Sequence, residues 1–187
     1  MFQKKFFPFP AMSLPLFLAA ILLFGACQVD DDDPMVNEEE LITSVVLTFT
    51  APGGSSTSFS FRDTDGSGGT DPVVENITLA AASSYMLSVR FLDESNPADV
   101  SDITLEVADE NTDHLVCFEV QGDMPLPLIE DTDDNGKPLG LASRLVTTAP
   151  GNGKLTVRLK HTPDKNATSP CGTGDTDVEA TFNVAIN

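Results

Sequence analysis

The sequence contains no tryptophan, one tyrosine (Tyr85) and two histidines, His114 and His161. Carbohydrate sites commonly stack sugars on exposed aromatic rings, and Tyr85 falls on the core side of a predicted strand, so sugar recognition by stacking is disfavoured. No serine or cysteine lies in a nucleophile-elbow or other activated pattern. We therefore expect a protein that is not an enzyme; a small acid/base hydrolase that uses two of the many carboxylates is the enzymatic alternative.

Basic residues are also scarce. The chain has ten Lys and Arg residues against 29 Asp and Glu residues, a net charge of −19. Because Lys and Arg side chains supply the affinity for phosphate groups, this balance excludes nucleic acid as a partner. It favours cations or the basic surface of another protein.

The sequence has no apolar run long enough to span a bilayer. Lys4 and Lys5 precede an uncharged stretch whose first half contains three prolines, and the uninterrupted run Leu16–Ala26 has 11 residues. A transmembrane helix needs roughly 20. A basic start followed by a short apolar segment is typical of a secretory signal peptide, which we assign to residues 1–26.

The sequence Phe24-Gly25-Ala26-Cys27 closes this segment. It resembles a bacterial lipoprotein box, with Phe24 at a position where leucine is usual. The resemblance implies that Cys27 is lipidated and becomes the first residue of the mature protein; a plain signal peptide that contains a cysteine is the alternative. Two or more acyl chains would then hold the protein stably on a membrane. Cleavage leaves eight basic and 29 acidic residues, a net charge of −21.

Four consecutive acids, Asp30–Asp33, follow Cys27 closely. An anionic membrane surface repels such a run, so it suits recognition by a sorting machine or simple solvation. The run resembles the acidic export signal of surface-exposed lipoproteins from Bacteroidota, which implies a location on the outer face of an outer membrane. A solvated tether that faces the periplasm is the alternative. We assign residues 27–40 to an acidic, flexible tether.

From Leu41 onward, apolar residues alternate with polar ones, and clusters of Gly, Pro, Ser and Asp separate the runs. This pattern predicts an all-β fold: one antiparallel β-sandwich domain over residues 41–187, immunoglobulin-like, with about 8 to 10 strands. The predicted inward-facing runs include Leu41, Val45, Leu47 and Phe49; Tyr85, Leu87, Val89 and Phe91; His114, Val116, Phe118 and Val120; Leu126 to Ile129; Leu155, Val157 and Leu159; and Val178, Ala180, Phe182, Val184 and Ile186.

The segment 96–114 fits two structures. It reads as a strand through Ile103, Leu105 and Val107, or as a short helix capped by Ser101 with Ile103 and Val107 on one face. We favour a short helix near residues 100–112, because its acidic residues would then share an exposed face.

The stretches NEEELITSVVLTFT, FLDESNPADVSDI, DTDDNGKPLGL and GTGDTDVEATFNVAI together resemble a group of small lipoproteins from Bacteroidota. The resemblance covers almost the whole mature chain. Its members carry the label "type 1 periplasmic binding fold superfamily protein" and have no established activity. The resemblance implies a surface lipoprotein and supplies no functional residue. Receptors of that label need two α/β lobes, for which this chain has neither the length nor the helical pattern.

Two acidic stretches are candidate metal sites. Asp131, Asp133, Asn135 and Gly136 read D-x-D-x-N-G, and an equivalent D-x-D-x-S-G is formed by Asp63, Asp65, Ser67 and Gly68. Alternate oxygen ligands followed by glycine can wrap Ca²⁺. The twelfth positions, where a calcium loop places a bidentate Glu, hold Ala142 and Val74, so any Ca²⁺ would need further ligands and bind weakly. Solvated turns are the alternative.

Two cysteines remain besides Cys27, namely Cys117 in a predicted strand and Cys171 in a loop rich in Pro and Gly. An even pair in an oxidising compartment predicts a disulfide between them, with two separate thiols as the alternative.

These observations lead to one hypothesis and its rivals. We expect a non-enzymatic lipoprotein of the outer membrane or cell surface, anchored through lipid, that acts as a binding, adhesive or accessory module with a protein partner. The rivals are a calcium-dependent extracellular β module and the acid/base hydrolase.

Overall fold

A computed structural model of the protein describes residues 41–65 and 69–187. The predicted signal peptide, Cys27 and the acidic tether lie outside the described residues, as does Ser67 of the second acidic stretch. The described chain forms eleven strands, one α-helix and one 3₁₀ turn.

The strands are short and follow one another closely along the chain, which confirms the all-β prediction. They are β1 (Ser44–Thr50), β2 (Ser56–Arg62), β3 (Val73–Val74), β4 (Ile77–Leu79), β5 (Ser84–Asp93), β6 (Ser101–Asp102), β7 (His114–Gly122), β8 (Leu128–Ile129), β9 (Ala142–Val146), β10 (Gly151–His161) and β11 (Asp175–Ile186); the helix α1 is Thr104–Asp109 and the 3₁₀ turn is Pro170–Gly172.

The strands form two sheets. The larger has the order β3-β2-β1-β5-β9-β8, with β6 also paired to β5, and the smaller has the order β4-β11-β10-β7. Every pairing is antiparallel except that of β4 with β11, where Ile77 lies opposite Val184 in a parallel ladder. This single parallel pair is an exception within the predicted antiparallel sandwich.

Period-2 alternation places the apolar residues of both sheets in one hydrophobic cluster. Val45, Leu47 and Phe49 of β1 are fully buried, as the alternation predicts. Three residues that the alternation placed inside face solvent instead. Leu41 precedes β1 and is exposed, and Leu126 and Leu128 are exposed as well. Of the run at residues 126–129, only Leu128 and Ile129 form a strand, β8.

The helix predicted near residues 100–112 is present as α1, whose residue Val107 is buried against the core. The predicted cap is wrong. Ser101 belongs to β6 and pairs with Asp93 of β5, so the helix begins later, with Ile103 at its N-cap position and no side-chain cap. The backbone of this segment thus satisfies its hydrogen bonds as a strand before it turns into the helix.

Cys117 of β7 and Cys171 of the 3₁₀ turn are joined by a disulfide, with their Cα atoms 5.9 Å apart. The bond ties the segment between β10 and β11 to the edge of the smaller sheet. This segment, residues 162–174, covers one end of β7.

Candidate functional site

The D-x-D-x-N-G stretch lies between β8 and β9 and forms a turn that its own backbone satisfies. The Asp131 carboxylate accepts the backbone N–H groups of Gly140 at 2.7 Å and Ala142 at 3.0 Å. Asp133 Oδ1 accepts those of Asn135 at 2.9 Å and Lys137 at 2.8 Å. These are the local bonds for which turns select Asp and Asn.

A lysine ammonium completes this turn. Lys165 Nζ lies 2.8 Å from Asp133 Oδ2, and the two side chains are only 6% and 1% exposed. The same ammonium donates to the carbonyl oxygen of Asn111 at 2.7 Å. Burial alone would raise the pKa of Asp133, but the Lys165 ammonium and the N–H groups of Lys137 and Asn135 outweigh it and hold that pKa below its ordinary value. The chain itself thus provides a cation for this carboxylate.

The second acidic stretch follows β2 at the surface. The backbone N–H of Asp63 donates to the carbonyl of Thr43 at 2.8 Å. Asp65 is exposed and accepts the N–H of Thr70 at 2.9 Å, and the hydrogen bonds from Thr70 lower its pKa. Calcium binding at this stretch remains a prediction.

A third group of polar side chains is buried at one end of the smaller sheet. His114 is the first residue of β7, His161 is the last residue of β10, and the two lie opposite each other in the strand register. Their ring centroids are 4.7 Å apart. Asp177 of β11 completes the group, with Oδ1 3.9 Å from His161 Nδ1. One donor atom from each residue lies within 4.8 Å of the other two. We call these three residues the histidine cluster.

A β-bulge brings Asp177 into the histidine cluster. Leu159 lies opposite Val178 while the next residue, Lys160, lies opposite Thr176, so Asp177 is an extra residue in β11. Without the bulge, alternation would put Asp177 on the outer face of the sheet, whereas Ala180 lies on the inner face. A bulge turns the extra side chain toward the face it would otherwise avoid. The Asp177 carboxylate is consequently 1% exposed.

Part of this cluster was accessible from the sequence. His114 shares parity with Val116 in a predicted inward-facing run, and it is buried in the structure. His161 shares parity with Leu155, Val157 and Leu159, so two histidines on core parity were the available signal. Asp177 has the wrong parity and gave none.

The outer face of the larger sheet carries exposed apolar side chains near its β8 edge. Met86 of β5 and Leu128 of β8 both lie opposite Arg144 of β9, one on each side. Val146 follows two residues after Arg144 on the same face. Leu126 precedes β8. The four apolar side chains are 48% to 61% exposed. We call them the β8 edge patch. Glu130 accepts a hydrogen bond from Arg144 at 2.6 Å, which leaves the middle of the patch without net charge.

Six carboxyl groups have a pKa below the ordinary value, whereas a general acid at neutral pH needs a raised pKa. These groups are Asp65, Glu75, Asp93, Glu94, Asp102 and Asp133.

A shallow polar depression of about 230 Å³ lies beside Asp133, and Lys165 is one of the residues that line it.

In residues 41–65 and 69–187, no helix has the length and apolar character needed to cross a bilayer. Searches of protein-family models, curated proteins and solved structures returned no match to this chain.

Proposed function

We propose that this protein is a non-enzymatic lipoprotein of the outer membrane, displayed on the cell surface, that binds a partner protein through the β8 edge patch. The lipid on Cys27 anchors it, and the acidic tether separates the β domain from the membrane. The observation that carries the proposal is the β8 edge patch itself. Apolar side chains on neighbouring strands, gathered on one face, are characteristic of protein interaction sites, whereas isolated exposed apolar residues are ordinary.

The charge of the chain limits which partner fits. The mature protein carries eight basic and 29 acidic residues, so its field attracts a basic surface and repels an acidic one. The patch centre is neutral because Glu130 pairs with Arg144. The partner therefore presents an apolar contact surface bordered by Lys or Arg. Its association should slow as salt is added, since long-range attraction is screened over roughly 10 Å at 0.1 M ionic strength.

A photo-crosslinking residue tests the patch in intact cells. The residue is placed at position 86 or 128, and at position 105 as a matched control, because Leu105 is a similarly exposed apolar side chain on α1. We expect one discrete crosslinked product from positions 86 and 128 and none from position 105. Leu128→Ser with Val146→Ser should abolish that product, and Leu105→Ser should not. Identical products from all three positions would contradict the proposal.

Anchoring and display are tested separately. Labelled fatty acid should be incorporated into the wild-type chain and not into Cys27→Ala. Protease added to intact cells should digest the wild-type protein. Resistance that ends only when the outer membrane is permeabilised would place the domain in the periplasm instead.

A further inference from the structure

We propose that the histidine cluster, His114, His161 and Asp177, binds one divalent transition-metal ion of the zinc class. The inference is independent of the proposed partner binding. Two imidazole nitrogens and one carboxylate oxygen are a donor set that suits Zn²⁺ and its first-row neighbours. Calcium prefers six to eight oxygen ligands, so the same set disfavours it.

The spacing of the donors is close to that of a formed site. The three donor atoms lie within 4.8 Å of one another, and His161 Nδ1 and Asp177 Oδ1 are 3.9 Å apart. Ligands about 2.0 to 2.1 Å from a tetrahedral Zn²⁺ are about 3.3 Å apart. The donor atoms are therefore up to about 1.5 Å further apart than in a tetrahedral site, and binding requires the side chains to move together by that amount.

One ring nitrogen of His114 already has a backbone partner, as in many histidine ligands. Its Nδ1 lies 3.1 Å from the carbonyl oxygen of Glu110. A carbonyl can only accept, so Nδ1 carries the proton and the lone pair of the neutral ring is on Nε2. Histidine ligands generally donate their other ring nitrogen to a carbonyl or carboxylate in this way.

Burial makes the site a structural one. His114 is fully buried, and the side chains of His161 and Asp177 are 9% and 1% exposed. An ion bound there would connect β7, β10 and β11, which are three neighbouring strands of one sheet. The three residues supply three ligands and leave the fourth position of a tetrahedral ion to water. We assign the ion a role in stabilising the fold and no reaction.

The chain offers a direct spectroscopic test, because His114 and His161 are its only two histidines. The full-length protein, purified in detergent, is stripped with EDTA and titrated with Zn²⁺ in excess Mg²⁺ at constant ionic strength. The Mg²⁺ saturates weak binding to the many surface acids. We expect the NMR signals of both histidine rings to shift together and to stop shifting at one equivalent of Zn²⁺. Co²⁺ should give the visible absorption of a tetrahedral nitrogen-ligated ion, which Zn²⁺ displaces.

The tripeptide 175–177 supplies a matched control pair, since Asp175 is exposed and Asp177 is buried. Asp177→Asn should weaken Zn²⁺ binding by about 100-fold or more, and Asp175→Asn should leave it unchanged. If Asp177→Asn does not fold, the wild-type titration decides alone. Histidine signals that do not respond to Zn²⁺, or equal losses of affinity in the two variants, would overturn the proposal.

Discussion

The acidic turn at residues 131–136 and the histidine cluster differ in how the chain assembles them. The turn has the spacing of a calcium loop, yet its carboxylates accept neighbouring backbone N–H groups and a lysine ammonium. The histidine cluster corresponds to no short sequence motif, because its residues lie on three different strands. Its donor atoms nevertheless lie within 4.8 Å of one another.

The comparison shows that a calcium-like spacing of acidic residues along the chain is not by itself evidence of a metal site. Asp, Asn and Gly are selected by turns for local reasons, so a spaced run of them is as compatible with a closed turn as with a cation. A set of buried donors on one sheet face requires a specific strand register and, at Asp177, an inserted residue. A set of metal ligands that comes from several strands is identified from the strand register and not from a sequence motif.

The largest expected effect comes from removing the disulfide that holds residues 162–174, the segment that contains Lys165. Replacing both Cys117 and Cys171 by Ala should lower the free energy of unfolding by about 4 kcal/mol, because the disulfide closes a long loop, with its cysteines 54 positions apart. Chemical denaturation measures the loss. Hydrogen exchange should rise in residues 162–174 and at the acidic turn more than at β10. A uniform rise would show that the turn and the sheet open as one unit.

Removing the carboxylate that pairs with the buried lysine should cost somewhat less. Asp133→Ala leaves the Lys165 ammonium buried without its partner, so we expect a loss of about 3 kcal/mol. The neighbouring exposed residue gives the control, and Asp134→Ala should change stability by less than about 0.5 kcal/mol. Combining Asp133→Ala with Lys165→Met should recover part of the loss, as removal of both charges does elsewhere. Equal effects at positions 133 and 134 would mean that the ion pair contributes little.

Acid should weaken the turn in a defined pH window. The pKa of Asp133 is lowered in the folded protein, so near pH 4 and below the unfolded chain binds more protons than the folded one. The contribution of Asp133 to stability is therefore present above about pH 4 and lost as pH falls through the folded-state pKa. Unfolding followed from pH 6 to pH 2 should show a shallower acid decline in Asp133→Asn than in the wild type, and an unchanged decline in Asp134→Asn.

The smallest expected effect is that of calcium. The ammonium of Lys165 already neutralises Asp133, so we expect millimolar Ca²⁺, compared with Mg²⁺ at the same ionic strength, to change the melting temperatures of the wild type and of Asp131→Ala equally. A Ca²⁺-specific shift that Asp131→Ala abolishes would restore the calcium loop and remove the contrast with the histidine cluster.

Sequence reasoning recovered the parts of the fold that alternation controls. The inward residues of β1 and β5, the helix at Val107 and the core parity of His114 all follow from local periodicity. The features that sequence reasoning missed depend on contacts between segments that are distant along the chain. Asp133 meets a lysine 32 positions away, and Asp177 turns inward only because β11 is one residue out of step with β10. A strand of three residues, Ile77–Leu79, gives too short a pattern to indicate its parallel partner.

The position of β11 between β4 and β10 has a consequence for how the chain folds. Asn76 and Asn183, which hydrogen bond across this pair at 3.2 Å, are 107 positions apart, so β4 must remain without its partner until almost all of the domain is available. Ile77 and Leu79, both buried in the finished sheet, stay accessible to solvent during that interval. Pairings between such distant segments form slowly because a long loop must close first. Because synthesis begins at the amino end, β4 is therefore exposed early and covered late.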